Sequence, residues 1–154
     1  MLADHGFDYE FFEHEPVRTS EEAAAVRPGY ALQQGAKAMA LRIREPGVGK
    51  RFALFVLPAD RRLDMAKLKR NLGVKDVRPA QTEEVMELTD GVLPGGVPPF
   101  GHRFRVDLYV DPALFDNEGI AFNSGDRRAS VAMASADYRR LAAPTVVEMS
   151  RAAS

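Results

Sequence analysis

Two strand-like stretches on either side of Pro46-Gly47-Val48-Gly49 constrain this chain more than any other feature. From Gly35 onward, Lys37, Met39, Leu41 and Ile43 alternate with Ala36, Ala38, Ala40 and Arg42, the period-two pattern of a strand. Arg51 to Leu57 reads as a second strand that pairs with the first through the glycine-rich turn. The turn ends in Gly47-Val48-Gly49-Lys50, which looks superficially like a phosphate-binding loop. The first glycine of that motif would fall at Arg44, however, and Arg51 replaces its Ser/Thr, so the segment is read as a hairpin turn. The longest unbroken apolar run, Phe52 to Pro58, is far too short to cross a bilayer.

The remaining patterning interleaves helices with strands. Thr19-Ser20-Glu21-Glu22 has the capping-box spacing, and the alanines that follow favour a helix until Arg27-Pro28. Asp64 is placed to cap a helix carrying Met65, Leu68 and Leu72, with Gly73 as its left-handed terminator. Thr82 is expected to cap another, ended by Gly91, and Ser135 a final one running through Leu141. Arg103 to Asp111 alternates as a half-buried strand with Phe104, Val106, Leu108 and Val110 inward. Gly119 to Asn123 and Ala129 to Met133 read as two shorter strands around Ser124-Gly125-Asp126. The expected fold class is α+β, in one domain spanning residues 1–154, a length that lets a chain bury roughly 68–70% of its unfolded surface.

Composition narrows the chemistry. With 45% apolar and 28% charged residues, disorder, collagen-like repeats and coiled coil are all disfavoured. The absence of cysteine excludes disulfides, thiolate metal sites and a cysteine nucleophile. His5, His14 and His102 are scattered, without the i, i+4 spacing that puts two ligands on one helix face, so no metal and no cofactor is expected. His14 reads as an isolated edge residue, and no Gly-x-Ser-x-Gly elbow supports a serine hydrolase. The first fifteen residues carry Asp4, Asp8, Glu10, Glu13 and Glu15 with no Lys or Arg, unlike a signal peptide, so a cytoplasmic location is the expectation. Net charge is only −1, but Arg42 to Arg78 holds 11 basic and 4 acidic residues. Such a run is either a solvated surface or a phosphate-binding one, for which arginine's planar fork is well suited.

Two features are candidates for chemistry. Lys37 shares a strand face with Met39, Leu41 and Ile43, so its ammonium either reaches water at the strand end or lines a polar pocket opening onto the core. The segment Pro94-Gly95-Gly96-Val97-Pro98-Pro99-Phe100-Gly101 is stiffened by prolines and shaped by glycines. It either aims backbone groups at a ligand or is a rigid connector.

The order of segments adds a resemblance. His14-Glu15-Pro16-Val17-x-Thr19, then Gly35-Ala36-Lys37-Ala38-Met39-Ala40-Leu41, then Leu57-Pro58-Ala59-Asp60-Arg61, then Gly95 to Gly101, resembles the YbaK/ProX family of aminoacyl-tRNA deacylases over about residues 8–145. These proteins are similar to the editing domain inserted in bacterial prolyl-tRNA synthetases. The resemblance implies a mixed, partly barrel-like sheet flanked by helices. It implies trans-editing hydrolysis of a mischarged tRNA, most often alanyl- or cysteinyl-tRNA(Pro).

By the same resemblance, Lys37 is the family's near-invariant lysine, and Gly95, Gly96, Val97, Pro98 and Pro99 form its Gly-x-x-x-Pro element around the 3′-terminal ribose. Thr19, Met39, Phe100, Gly101, Asn123, Ser124 and Gly125 are the implied substrate-binding positions. Gly125 and Ser130 occupy places where some branches carry a histidine or an aspartate. The implied partner is the acceptor end of aminoacyl-tRNA, approached by the basic stretch and by Arg127-Arg128, with prolyl-tRNA synthetase as the candidate protein partner and neither DNA nor membrane involved. A non-catalytic tRNA- or synthetase-binding module of the same fold, and a general small-ester hydrolase, are the alternatives.

Overall fold

The computed structural model describes residues 9–13, 32–47, 49–89, 91–92, 97–101, 104–123 and 129–152, with 9–13, 32, 123, 129 and 130 as backbone alone. In chain order the strands are β1 (Tyr9–Glu13), β2 (Ala36–Glu45), β3 (Gly49–Pro58), β4 (Arg61–Leu63), β5 (Asp76–Pro79), β6 (Asp107–Val110), β7 (Gly119–Asn123), β8 (Ala129–Ala134), β9 (Thr145–Val146) and β10 (Ser150–Ala152). The helices are α1 (Met65–Leu72), α2 (Thr82–Leu88) and α3 (Ser135–Ala142).

The expected hairpin forms at full length. β2 and β3 pair antiparallel from Ala36 opposite Pro58 to Glu45 opposite Gly49. Gly47 and Gly49 take φ of 77° and 97° in the turn, angles that favour glycine. This hairpin is the middle of a five-stranded sheet ordered β5-β2-β3-β6-β9, in which β6 runs parallel to both β3 and β9. A three-stranded antiparallel sheet, β1-β8-β7, covers one side, and the pair β10-β4 lies apart from both. The result is the expected mixed α+β domain.

The apolar run Phe52 to Pro58 becomes the central strand. Leu54, Phe55, Val56 and Leu57 are all fully buried because β3 is covered on both faces. One face supplies Leu54 and Val56, with Ala36 and Ala40 of β2, to a core shared with Phe122, Val131, Val85 and Tyr138. The other supplies Phe55 and Leu57, with Leu41 and Ile43, to a core closed by Leu68 of α1 and by Met149. Burial of each such side chain contributes about 1.5–3 kcal/mol.

Local signals held where the chain itself supplies the partner. Asp64 caps α1 by accepting from the Lys67 N–H at 3.0 Å, and Gly73 ends it at φ 69°. Three expectations are corrected. Gln81, not Thr82, is the cap of α2, its N–H donating to the Glu84 carboxylate at 2.9 Å. Ala134, not Ser135, precedes α3, because the Ser135 hydroxyl donates to the Asn117 carbonyl instead. The strand expected over Arg103 to Asp111 contracts to β6, since the Phe104 and Val106 N–H groups both donate to the Gly101 carbonyl and Arg105 turns at φ 59°. Leu108 and Val110 still enter the core, with Phe104 and Val106 packed against it. The helix expected from Thr19, and His14, lie outside the described residues.

The C-terminal segment laces the fold together. After β9, the Val147 N–H donates to Val110 and the Met149 N–H to the buried Asp111 carboxylate at 2.9 Å. The other Asp111 oxygen accepts from Ala113, capping the 3-10 turn Pro112–Asp116.

The glycine- and proline-rich segment is built into this core from Val97 to Gly101, all of it buried. The Tyr138 hydroxyl, deep in the core, donates to the Pro99 carbonyl at 2.6 Å, and burial pushes its phenol well above the ordinary range. Phe100 meets Phe122 and Tyr138 edge-on, each at 5.4 Å between ring centres. A Cβ at Gly101 would stand 2.5 Å from the Val106 carbonyl oxygen and 2.9 Å from Leu108 Cβ. Tyr138→Phe, which leaves the Pro99 carbonyl without its donor, is expected to lower unfolding free energy by about 1–3 kcal/mol in denaturant titrations. Gly101→Ala should lower it by about 1–3 kcal/mol through overpacking, and an unchanged midpoint would contradict the close approach.

Candidate active site at the Gly35–Ala121 junction

The start of β2 is held from two sides. Gly35 pairs in parallel with Ala121 of β7 through an isolated bridge, and its carbonyl accepts from the Ala59 N–H at 2.8 Å. Side chains brace the same place, Gln34 Nε2 donating to the Gly119 carbonyl at 3.2 Å and Asn117 Nδ2 to the Gln33 carbonyl at 3.0 Å. The bridge joins the five- and three-stranded sheets at one corner.

From this bridge β2 and β7 run in the same direction, so Lys37 and the backbone of Asn123 both stand two residues beyond it. On β7, Phe122 packs against Phe100, which ties the buried segment from Val97 to Gly101 to the same corner. Lys37, Asn123 and that segment are thus gathered around one backbone junction.

Lys37 is half-buried, and its Nζ donates to the Arg61 carbonyl at 3.3 Å. Holding an ammonium away from bulk water raises its electrostatic effect on a nearby substrate, and a carbonyl acceptor orients it. Met39 lies half-buried on the same face, opposite Phe55 and packed against the core that contains Leu41 and Ile43. Val97 and Phe100 belong to the core on the other face. The expected lining therefore approaches the corner from both faces of the sheet. Thr19, Gly95, Gly96, Ser124 and Gly125 lie outside the described residues, as do Arg127 and Arg128, and Ser130 is described as backbone paired with Phe12 and Asn123.

Within the segment, hydrogen-bonding capacity is largely committed. Pro98 and Pro99 have no N–H, the Phe100 N–H donates to the Pro98 carbonyl at 2.9 Å, and Tyr138 occupies the Pro99 carbonyl.

The basic stretch separates into arginines with internal partners and arginines without them. Arg51 binds Glu45, Asp107 at 2.9 Å and the Tyr109 hydroxyl at 2.8 Å. Arg78 binds Glu84 at 2.9 Å and, together with the Gln81 N–H, lowers that carboxyl to about 2. Both brace the fold. A cleft of about 240 Å³ is lined in part by Arg61, Lys67, Asp111 and Ser150. Its cations are engaged, Arg61 Nε donating to Ser150 Oγ at 2.7 Å and Lys67 Nζ to the Ser150 carbonyl at 2.8 Å. The Arg61 carbonyl and Tyr138 were not anticipated as parts of the site. Tyr138 had a signal in its place on the apolar side of the last helix, whereas the Arg61 carbonyl had none, since a backbone acceptor leaves no mark in residue type. Among the described residues no helix is long and apolar enough to cross a membrane, and no cluster of three or more His, Cys, Asp or Glu residues suited to a metal occurs.

Comparison with known proteins identifies the kind of domain. Residues 14–141 match the family model of the aminoacyl-tRNA editing domain. The chain is 37% identical over 154 residues to the multifunctional Ser/Thr-tRNA deacylase ProXp-y of Escherichia coli strain K12, covering 99% of this chain and 90% of that protein. Among solved structures it is similar to the hypothetical protein APE2540, with a TM-score of 0.83 at 26% identity over 97% of this chain and 96% of that one. It is also similar to a candidate trans-editing enzyme for prolyl-tRNA synthetase, with a TM-score of 0.79 at 28% identity over 93% and 87% of the two chains. The half-buried lysine at a sheet junction therefore sits in a domain of known kind, and the chain belongs to the aminoacyl-tRNA editing family of hydrolases that act on the aminoacyl-tRNA ester bond.

Proposed function

We propose that this protein edits in trans, hydrolysing tRNA charged with a small hydroxylated amino acid, serine or threonine, with Lys37 as the catalytic cation. The observation that carries the proposal is the half-buried Lys37 ammonium, oriented by the Arg61 carbonyl beside the Gly35–Ala121 bridge. The choice of amino acid follows the 37% identity, across 99% of the chain, to a Ser/Thr-tRNA deacylase.

An aminoacyl ester is already activated, so the chain needs no nucleophilic side chain. Water adds to the ester carbonyl carbon, and negative charge develops on the carbonyl oxygen. The Lys37 ammonium supplies positive charge to stabilise that oxygen, and the Gly95-to-Pro99 element is the part that the family resemblance assigns to holding the 3′-terminal ribose. The bond from carbonyl carbon to ribose oxygen then breaks, the ribose oxygen takes up the proton given up by the attacking water, and the neighbouring ribose hydroxyl assists by proximity. A site that hydrogen-bonds a substrate hydroxyl discriminates strongly against analogues lacking one, which suits serine and threonine against proline. The work would take place in the cytoplasm, where charged tRNA is used.

A second reading keeps the same chemistry and changes the substrate. The likeness to a candidate trans-editing enzyme for prolyl-tRNA synthetase favours tRNA(Pro) carrying alanine or cysteine, with that synthetase as partner.

Deacylation time courses on tRNA charged with serine, threonine, alanine, cysteine or proline separate these readings. Rapid loss of the seryl and threonyl esters with the prolyl ester intact is expected, and preferential loss of alanine or cysteine from tRNA(Pro) would replace the first reading with the second. Lys37→Ala should lower kcat by about 10²–10³. Undiminished turnover in that variant would remove Lys37 from the chemistry, and tRNA binding without hydrolysis of any ester would leave a binding module.

A further inference from the structure

We propose that the exposed sides of β4, β10 and α1 form the surface on which the tRNA backbone docks, with Arg62, Arg70 and Arg151 contacting phosphates. The proposal rests on the reading of the chain as a deacylase of tRNA, and its test separates the two.

Arg151 stands directly opposite Arg62 in the antiparallel pair of β10 with β4, and both are exposed. Residues so placed have Cβ atoms about 4.5–5.5 Å apart, and like charges there are destabilising. The packing of this small sheet does not call for the two arginines. Its inward positions are Leu63 and Ser150, the former packed against the core and the latter buried. Strand register thus sets two exposed arginines at facing positions, a placement the packing of the fold does not require.

Their surroundings extend the charge. Asp64 is committed to capping α1, and its carboxyl is lowered by the Lys67 N–H and further by the charges of Lys67, Arg151 and Arg70. One carboxylate therefore faces three cations, with Arg62 across the strand pair from one of them. Asp60 and Glu148 flank the surface, and residues 60–72 with 148–152 still carry a local charge of +3. No carboxylate among the described residues lies within ion-pair distance of Arg62, Arg70 or Arg151, in contrast to Arg51 and Arg78.

Position selects the partner. Arg62 follows Arg61, whose carbonyl holds Lys37 Nζ, so the surface begins about 3.8 Å along the chain from the acceptor of the catalytic cation. A tRNA whose terminal ester reaches Lys37 carries its preceding phosphates past this strand pair. The successive phosphates of a tRNA strand present a row of negative charge, and closely set arginines bind such phosphates in a bidentate manner. A membrane would need apolar anchors beside the charges, and the one large hydrophobic side chain exposed among the described residues, Met86, belongs to α2.

The experiment is binding of uncharged tRNA across a salt series, for the wild type, Arg151→Glu, the Arg62→Ala/Arg151→Ala double variant and Arg44→Ala. Arg44 is exposed at the far end of β2 and serves as the control. Arg151→Glu replaces one of the two facing cations by an anion, so tRNA affinity should fall by about tenfold at low salt. The slope of log K against log salt should lessen by about 1–2 in Arg151→Glu and in the double variant. Affinity and slope equal to wild type, or an equal loss in Arg44→Ala, would overturn the proposal. Arg151-dependent tRNA binding without hydrolysis would sustain the surface and defeat the deacylase reading, whereas hydrolysis with binding indifferent to Arg151 would do the reverse.

Discussion

The parallel bridge between Gly35 and Ala121 is the constraint on which the site depends. Apolar contact alone would let the three-stranded sheet slide over the five-stranded one, because hydrophobic attraction is not directional. A backbone pairing at one corner removes that freedom. It sets where β2 begins, and the Gly35 carbonyl binds Ala59, so the connection from β3 to β4 is placed by the same residue. The Arg61 carbonyl comes into reach of Lys37 as a consequence. The orientation of the lysine is thus inherited from main-chain geometry on both sides of it.

How much of this was legible depends on where each group finds its partner. The β2–β3 hairpin, α1 with its Asp64 cap and Gly73 terminator, and the β7–β8 pair could be read in advance because their partners lie nearby in the chain. β1, β4, β5, β9 and β10 were not foreseen. Each has only two to five residues and is a strand only because a distant segment pairs with it. The stiffness of the segment ending at Gly101 was evident from its prolines, while its anchor, Tyr138, is 39 residues from Pro99. Ser135 shows the same limit from the other direction, since a residue suited to capping has its hydroxyl taken by the Asn117 carbonyl.

The arginines carry a related lesson. Arg51, Arg78, Arg62 and Arg151 are equivalent as charges, yet the first two are tied to carboxylates of the fold and the last two are set against each other across a strand pair. A charge total over the basic stretch treats all of them alike. Strand register and side-chain partners separate those that stabilise the domain from those that face outward, and one of the outward pair, Arg151, falls outside the stretch altogether.

Parallel pairing also bears on timing. The β2–β3 hairpin closes over three residues, whereas β6 must reach β3 across β4, α1, β5 and α2, and the Gly35–Ala121 bridge spans more than half the chain. Loop closure over such separations makes non-local pairings slow to form. The corner that holds Lys37 is therefore among the last parts to assemble. A chain emerging from the ribosome would hold its lysine on a finished hairpin well before Ala121 has been synthesised, and hydrolytic competence would arrive only as the domain nears completion.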